Sequence, residues 1–243
     1  MKLKFLWRAV KGRFRDQKCE IRALVSALAP TDVAVDVGCN KGSYLYWLSR
    51  AVPRGRVIAF EPQPLLATYL KKVTAATGLG NVRVEASGVS DKPGRLTLYI
   101  PGESDSPAAS FEQVVARSEQ CRAVDVPVVT LDEYFAALEG RIGAIKIDVE
   151  GHELAVLRGA AGVLARHKPV VVLECEARHL TNATVLDVVR YVENLGYRGF
   201  FIQRGKLQPV SGFDPDIHQR SEGERYWDSK DYCNNFVFLP NNK

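Results

Sequence analysis

The residues best placed to do chemistry are carboxylates that directly follow short apolar runs. Val35-Asp36-Val37 leads into Gly38-Cys39-Asn40-Lys41-Gly42, where two glycines let the backbone turn sharply and approach a ligand closely. A site for a pyrophosphate uses such a turn with a helix N-terminus, and an acid inside it would repel the phosphates. Asp36 suits instead a ligand that carries an ammonium or sulfonium group. Asn40 also breaks the G-x-G-x-x-G pattern, which disfavours an NAD-dependent oxidoreductase. A second run ends Phe60-Glu61-Pro62, roughly 20 residues further on, where a carboxylate can take both hydroxyls of a ribose. A third ends Ile147-Asp148-Val149-Glu150-Gly151-His152-Glu153 and a fourth Leu173-Glu174-Cys175-Glu176. Four runs ending in acid are the wrong sign for a phosphate-binding enzyme.

Asp148, Glu150 and His152 are spaced by two and would share one face of an extended chain. Such a trio can hold a divalent cation, but Gly151 turns the chain before His152, and no metal is expected. The five cysteines contain no C-x-x-C pair. A paired-cysteine zinc site is therefore excluded, and a reducing, cytoplasmic setting fits best.

These acids need a scaffold. After Pro30, strand-like and helix-like segments alternate. Strands are expected at 33–37, 57–60, 82–85, 124–129, 144–148, 170–174, 197–202 and 235–239, with shorter ones around Val89 and at 95–100. Helices are expected at 42–51, 65–77, 131–138, 152–158 and 185–195. Thr130 and Glu133 form a capping box for the third of these helices. Alternation of this kind predicts an α/β fold, one mostly parallel sheet with helices on both faces. Ligands bind such sheets beyond the carboxyl ends of the strands, where the acids lie.

The expected organisation is a basic arm, residues 1–30, and one domain, residues 31–243. The arm holds eight basic side chains against Asp16 and Glu20 in its first 22 residues, so the rest of a chain of net charge +5 is almost neutral. A nucleic-acid-binding body would carry its basic stripe within the fold. The apolar run 23–29 is too short and interrupted for a secretory signal. Leu3, Trp7, Val10, Phe14, Ile21, Leu24 and Leu28 follow alternating steps of four and three, one stripe of a helix or of two helices meeting near residue 17. That stripe is expected to cover the domain core, or else to meet anionic lipid or a second copy of the chain.

VDVGCNKG at 35–42, FEP at 60–62, GVSD at 88–91, VTLDEYF at 129–135 and IKIDVEGHELAVLRGA at 145–160 resemble the FkbM family of S-adenosylmethionine-dependent methyltransferases. The resemblance runs from about Val33 to Glu176 and fades in the arm and after residue 177. It implies a Rossmann-like class I methyltransferase fold of seven strands, the last antiparallel and inserted beside its neighbour. It also implies methyl transfer to a hydroxyl of a sugar, glycolipid or polyketide-type acceptor. Carried over, Asp36, Gly38, Asn40 and Gly42 would surround the methionine part of the cofactor. Glu61 would hold the ribose, with Pro62 and Gln63 beside the adenosine and Ser87 and Gly88 flanking adenine. Asp148 would sit near the cofactor amine and the methyl group.

For such a transfer His152 is the expected general base, since its ordinary pKa of about 6.5 suits neutral pH. Glu150 and Glu174 are the alternatives, as bases or as groups that orient hydroxyls. Ser110 and Phe111 are expected to close over the cofactor, and the aromatic stretch 211–231, with Phe213, Tyr226, Trp227 and Tyr232, is read as a lid or a pinned surface loop. Because every cofactor motif follows residue 33, loss of residues 1–17 is expected to leave cofactor binding intact. The competing reading is a non-catalytic subunit of the same fold that docks through its basic helix.

Overall fold

A computed structural model describes residues 1–113, 120–222, 226, 229 and 231–241. Trp227 lies outside the described residues. In chain order the elements are α1 (Lys2–Lys11), a single π turn (Gly12–Asp16), α2 (Lys18–Ser26), β1 (Val33–Val37), α3 (Leu45–Ala51), β2 (Arg56–Phe60), α4 (Pro64–Ala76) and β3 (Val82–Glu85). There follow β4 (Gly88–Val89), β5 (Gly94–Pro101), β6 (Cys121–Val129), α5 (Leu131–Tyr134), β7 (Ile142–Ile147), α6 (Glu153–Arg158), α7 (Ala161–His167) and β8 (Val170–Glu174). Last come α8 (Val185–Asn194), β9 (Tyr197–Gln203), β10 (Lys206–Pro209), α9 (Pro215–His218) and β11 (Asn235–Pro240).

The main sheet has the order β3-β2-β1-β7-β8-β11-β9-β10. β3, β2, β1, β7 and β8 are mutually parallel, and β11 runs antiparallel between β8 and β9. All seven expected strands are present with the antiparallel insertion. The sheet is nevertheless eight-stranded, not seven, because Arg204 and Gly205 turn the chain back with positive φ and add β10 to its edge. β4, β6 and β5 form a separate three-stranded sheet.

Both faces of the main sheet are buried. Val33, Val35 and Val37 of β1 enter one core with Val156, Val163 and Val188 from α6, α7 and α8. Ala34 enters the other with residues of α1 to α4. Helix α3 begins at Leu45 rather than Gly42, because Gly42 takes a φ of 78°, outside the helical region.

The arm does not stand apart from the domain. Phe5, Ile21 and Leu24 are fully buried in the second core, so packing does not divide at residue 30. The expected stripe is split. Ile21 and Leu24 are buried and Leu28 packs beside them, whereas Leu3, Trp7, Val10 and Phe14 face solvent. The cause is the π turn, closed by the Gln17 N–H donating to the Gly12 carbonyl at 2.7 Å. Its extra residue rotates α1 relative to α2, so Phe5, Ala9 and Gly12 take the inward face.

Candidate active site

β1 and β7 are neighbours, yet the chain proceeds from β1 toward β3 on one side and from β7 toward β8 on the other. Their carboxyl ends therefore flank the point where the winding reverses, the usual binding crevice of such sheets. Here the glycine turn approaches the turn after β7 so closely that a side chain on Gly38, φ 74°, would run into the Asp148 carbonyl. A cleft of about 350 Å³ opens over this contact, within the range of small-ligand pockets. Gly38, Asn40, Lys41, Tyr44, Lys146 and Asp148 line it, and α1 closes it with Trp7, Arg8 and Lys11. Gly38 also lines an apolar slot with Phe60, Pro62, Gly88, Val89 and Phe111.

Asp36 does not line the cleft. It is fully buried, opposite Lys146 in the β1–β7 register, and neither of its oxygens has a hydrogen-bond partner among the described residues. The Lys146 ammonium lies 3.7 Å from Asp36, donates to Asp148 at 3.0 Å and to the Gly38 carbonyl at 3.2 Å, and sits 5.1 Å from the Tyr44 ring centre. Burial works against its charge, but Asp148 and Asp36 outweigh that and hold the ammonium above the usual lysine range. Burial pushes Asp36 up to about 6, with Lys146 opposing. Asp36 therefore neutralises the protein's own lysine. Lys146 in turn ties the glycine turn to Asp148, the one expected carboxylate that lines the cleft.

Glu61 is also buried. It accepts the Asn40 N–H at 2.7 Å and the Gln63 N–H at 2.9 Å, which pins Asn40 at its left-handed φ of 46°. Burial raises Glu61 to about 7 against those two bonds. Each carboxylate oxygen keeps one acceptor position beyond its backbone bond. Gln63 is occupied elsewhere, exchanging amide hydrogen bonds with the Ser106 backbone at 2.9 and 3.0 Å. Pro62 and Gly88 line the slot, and a side chain on Gly88 would meet Phe111 at 2.5 Å. Ser87 is half-buried just before Gly88, and Gly42 packs against Leu70, Leu45 and Phe5.

The structure does not bring His152 to the cleft. Its Nε2 is 2.9 Å from Ser90 Oγ and its Nδ1 is 3.0 Å from Glu112 Oε1. Glu112 also accepts from Thr181, and its carboxyl is held low, chiefly by the His152 bond. The order Ser90–His152–Glu112 mimics a nucleophile, base and acid, but Ser90 is only 3% exposed and offers no face to a substrate. With both ring nitrogens engaged, His152 fastens the loop that carries Phe111, whose ring centre is 5.2 Å away. Ser110 fastens the same loop by donating to the Glu150 carbonyl at 2.5 Å.

Glu150 has a φ of 51°, and its carboxylate is 2.7 Å from His179 Nδ1. Burial depresses the imidazole's proton affinity, but Glu150 outweighs it and raises His179 above its ordinary value. Glu150 itself is raised, first by burial and against the His179 bond, with Asp148 adding to the rise. Glu174 is raised by burial and by Asp148 and Glu150, and it accepts from Asn234 at 2.8 Å. The turns after β7 and β8 thus gather Asp148, Glu150, Glu174 and His179. From its position after β8, His179 is expected only to line a pocket; its pairing with Glu150 leaves no spacing signal, because the partner lies on another turn. Among the described residues no group of three or more acids, histidines or cysteines is arranged to hold a metal. The aromatic stretch is pinned rather than free where it is described: Phe213 is buried against Phe201, Phe236 and His218.

This sheet order, with a glycine turn at the winding reversal, defines a class I methyltransferase fold. The FkbM methyltransferase crystal structure from Methylobacillus flagellatus superimposes with a TM-score of 0.57 at 16% identity, over 94% of this chain and 47% of that one. The family model described as the methyltransferase FkbM domain matches residues 36–198, and the chain belongs to that family. Methyltransferase sdnD of Sordaria araneosa is 29% identical over 56% of this chain and 62% of its own length. The 31-O-demethyl-FK506 methyltransferase FkbM of Streptomyces tacrolimicus is 29% identical over 64% of this chain and 67% of its own. The chain thus matches less than two thirds of the Sordaria protein's length.

Proposed function

We propose that the protein transfers a methyl group from S-adenosylmethionine to a hydroxyl of a sugar, glycolipid or polyketide-type acceptor. The observation that carries this reading is the close approach of Gly38 to Asp148 at the winding reversal, with a cleft on one side and an apolar slot on the other. The relative named for 31-O-demethyl-FK506 supports an oxygen acceptor.

The residues present fit the methyl donor. Asp148 offers the cleft a carboxylate for a cationic group, and Phe60, Pro62 and Gly88 offer apolar walls for a purine, although the slot between them is only about 30 Å³ and the loop carrying Phe111 must withdraw to admit one. Glu61 lines neither cavity; the acceptor positions left beyond its bonds to Asn40 and Gln63 are what a ribose hydroxyl would meet. When bound, S-adenosylmethionine supplies an electrophilic methyl on a good leaving group. The protein's part is alignment and proton removal. Lys146 fixes Asp148 and the glycine turn. His179, held by Glu150 two residues from Asp148 and, like His152, outside the cleft lining, is the group proposed to take the acceptor's proton, with Glu174 as a further carboxylate beside them.

Calorimetry with S-adenosylhomocysteine and with NAD tests the reading. Binding of the former and none of the latter is expected. Glu61→Gln should weaken the former by about 1.5–3 kcal/mol, the value of a charge-assisted hydrogen bond. Tight NAD binding with no binding of S-adenosylhomocysteine would sink it.

A further inference from the structure

The mechanism leaves the outer face of α1 unused. Leu3 is 83%, Trp7 62%, Val10 50% and Phe14 67% exposed. Spacing puts Leu3, Trp7 and Val10 on one face of α1, opposite the buried Phe5 and Ala9, and Phe14 follows them in the π turn, its ring centre 6.0 Å from that of Trp47. Lys4, Lys11 and Arg15 flank that face on one side, and Lys2 and Arg13 on the other. Four large apolar side chains in a row are rarely left in water without a partner. Apolar residues bordered by cations on both sides are the pattern of a helix that lies in a lipid–water interface.

We propose that this face docks the protein on an anionic membrane surface. Charge selects the occupant. Asp16, the acid at the end of the face, is already paired with Lys11 at 2.8 Å and Arg15 at 2.7 Å. Lys2 and Lys4 have no ion-pair partner among the described residues. A second copy bound through the same face would bring two cationic borders together. A bilayer of anionic lipids neutralises them while its acyl boundary covers Leu3, Trp7, Val10 and Phe14. Because Trp7, Arg8 and Lys11 also wall the cleft, docking sets the cleft mouth beside the headgroups. With the methyl transfer proposed above, the acceptor is then a glycan or lipid carried in that membrane.

Co-sedimentation of the full chain with vesicles tests this without any acceptor or turnover. Vesicles of phosphatidylcholine with phosphatidylglycerol should bind at least about tenfold more protein than phosphatidylcholine alone, and added salt should reverse the difference. Lys2→Gln and Lys4→Gln should each cost roughly fivefold in affinity. Leu3→Ser with Val10→Ser should cost about tenfold or more, with an unchanged melting temperature because both side chains are exposed. Equal binding to both vesicles, binding to neither, or binding indifferent to salt overturns the proposal. So does a concentration-dependent dimer in light scattering that the Ser pair disperses, which would assign the face to a second copy. Calorimetry with S-adenosylhomocysteine reads the cleft separately, so either reading can fail while the other stands.

Discussion

A histidine acts as a base only if a ring nitrogen is free to meet the substrate, and the two histidines near the β7 turn differ in this respect. His152 has Ser90 on one nitrogen and Glu112 on the other, whereas His179 has Glu150 on Nδ1 and no hydrogen bond at Nε2 among the described residues. His152→Gln should therefore act on folding, costing about 1–3 kcal/mol for two lost hydrogen bonds. Turnover should change by less than about fivefold, far short of the 10²–10⁴ that a general base contributes. His179→Gln should show the reverse: turnover down by about 10²–10⁴, with cofactor affinity within about twofold. Since Glu150 raises His179, the free imidazole accumulates only above its ordinary value. Wild-type turnover should rise with pH through a point above about 6.5, and His179→Gln should flatten that rise. Stopped turnover in His152→Gln at unchanged stability would return the base to His152.

At the scale of elements, α1 does two jobs through opposite faces. Phe5 is fully buried and lies against Gly42, the second glycine of the cofactor turn, while Trp7, Arg8 and Lys11 wall the cleft. Loss of residues 1–17 therefore removes core and cleft wall together, and should weaken cofactor binding where motif position alone predicts no effect. Phe5→Ala should cost about 3–5 kcal/mol in denaturant unfolding, the usual price of a large buried aromatic. It should also weaken S-adenosylhomocysteine binding, because Gly42 loses its support. Near-native stability with unchanged binding would show α1 to be peripheral. The sequence made β1, β2, β3, β7 and β8 legible because each is a short β-branched run ended by Gly, Pro or acid. It did not show which way α1 would face. The expected meeting of two helices near residue 17 is present, with Gln17 at the start of α2. A continuous stripe across it assumes one helical pitch, and the π turn at Gly12–Asp16 breaks that assumption without a proline. Asp36 is legible as a candidate cofactor contact because its place after Val35 is visible in the chain, whereas Lys146, 3.7 Å from it, becomes its neighbour only through the β1–β7 register. His179, placed by sequence position as a candidate pocket residue, shows no role as a base for the same reason: Glu150 becomes its partner only in the fold.

Across the whole molecule, acids gathered at the carboxyl ends of the strands make the fold sensitive to pH. Burial raises Glu20 and Asp36 to about 6, Glu61 to about 7 and Glu153 to about 8, all above the unfolded carboxylate range. Between about pH 4.5 and 8 the native state then holds more protons than the unfolded one, so the stability these groups contribute falls as pH rises. Glu112 and Glu176 have the opposite sign: they are held low by their partners, and their contribution is lost as pH falls below the unfolded range. The melting temperature of the free protein should therefore peak near about pH 5 and decline toward about pH 8. Glu153 is the sharpest probe, because it is 1% exposed, accepts from Gly151 N–H at 2.9 Å through one oxygen, and has no partner for the other among the described residues. Glu153→Gln keeps the acceptor and removes the charge. It should raise the melting temperature at about pH 8 by roughly 2–4 °C or more, the equivalent of at least about 1 kcal/mol in a chain of this size, and change it little at about pH 5. A flat profile across that range, or an equal loss at both pH values, would mean that Glu153 stays ionised in the fold, with its second oxygen reached by water or a partner.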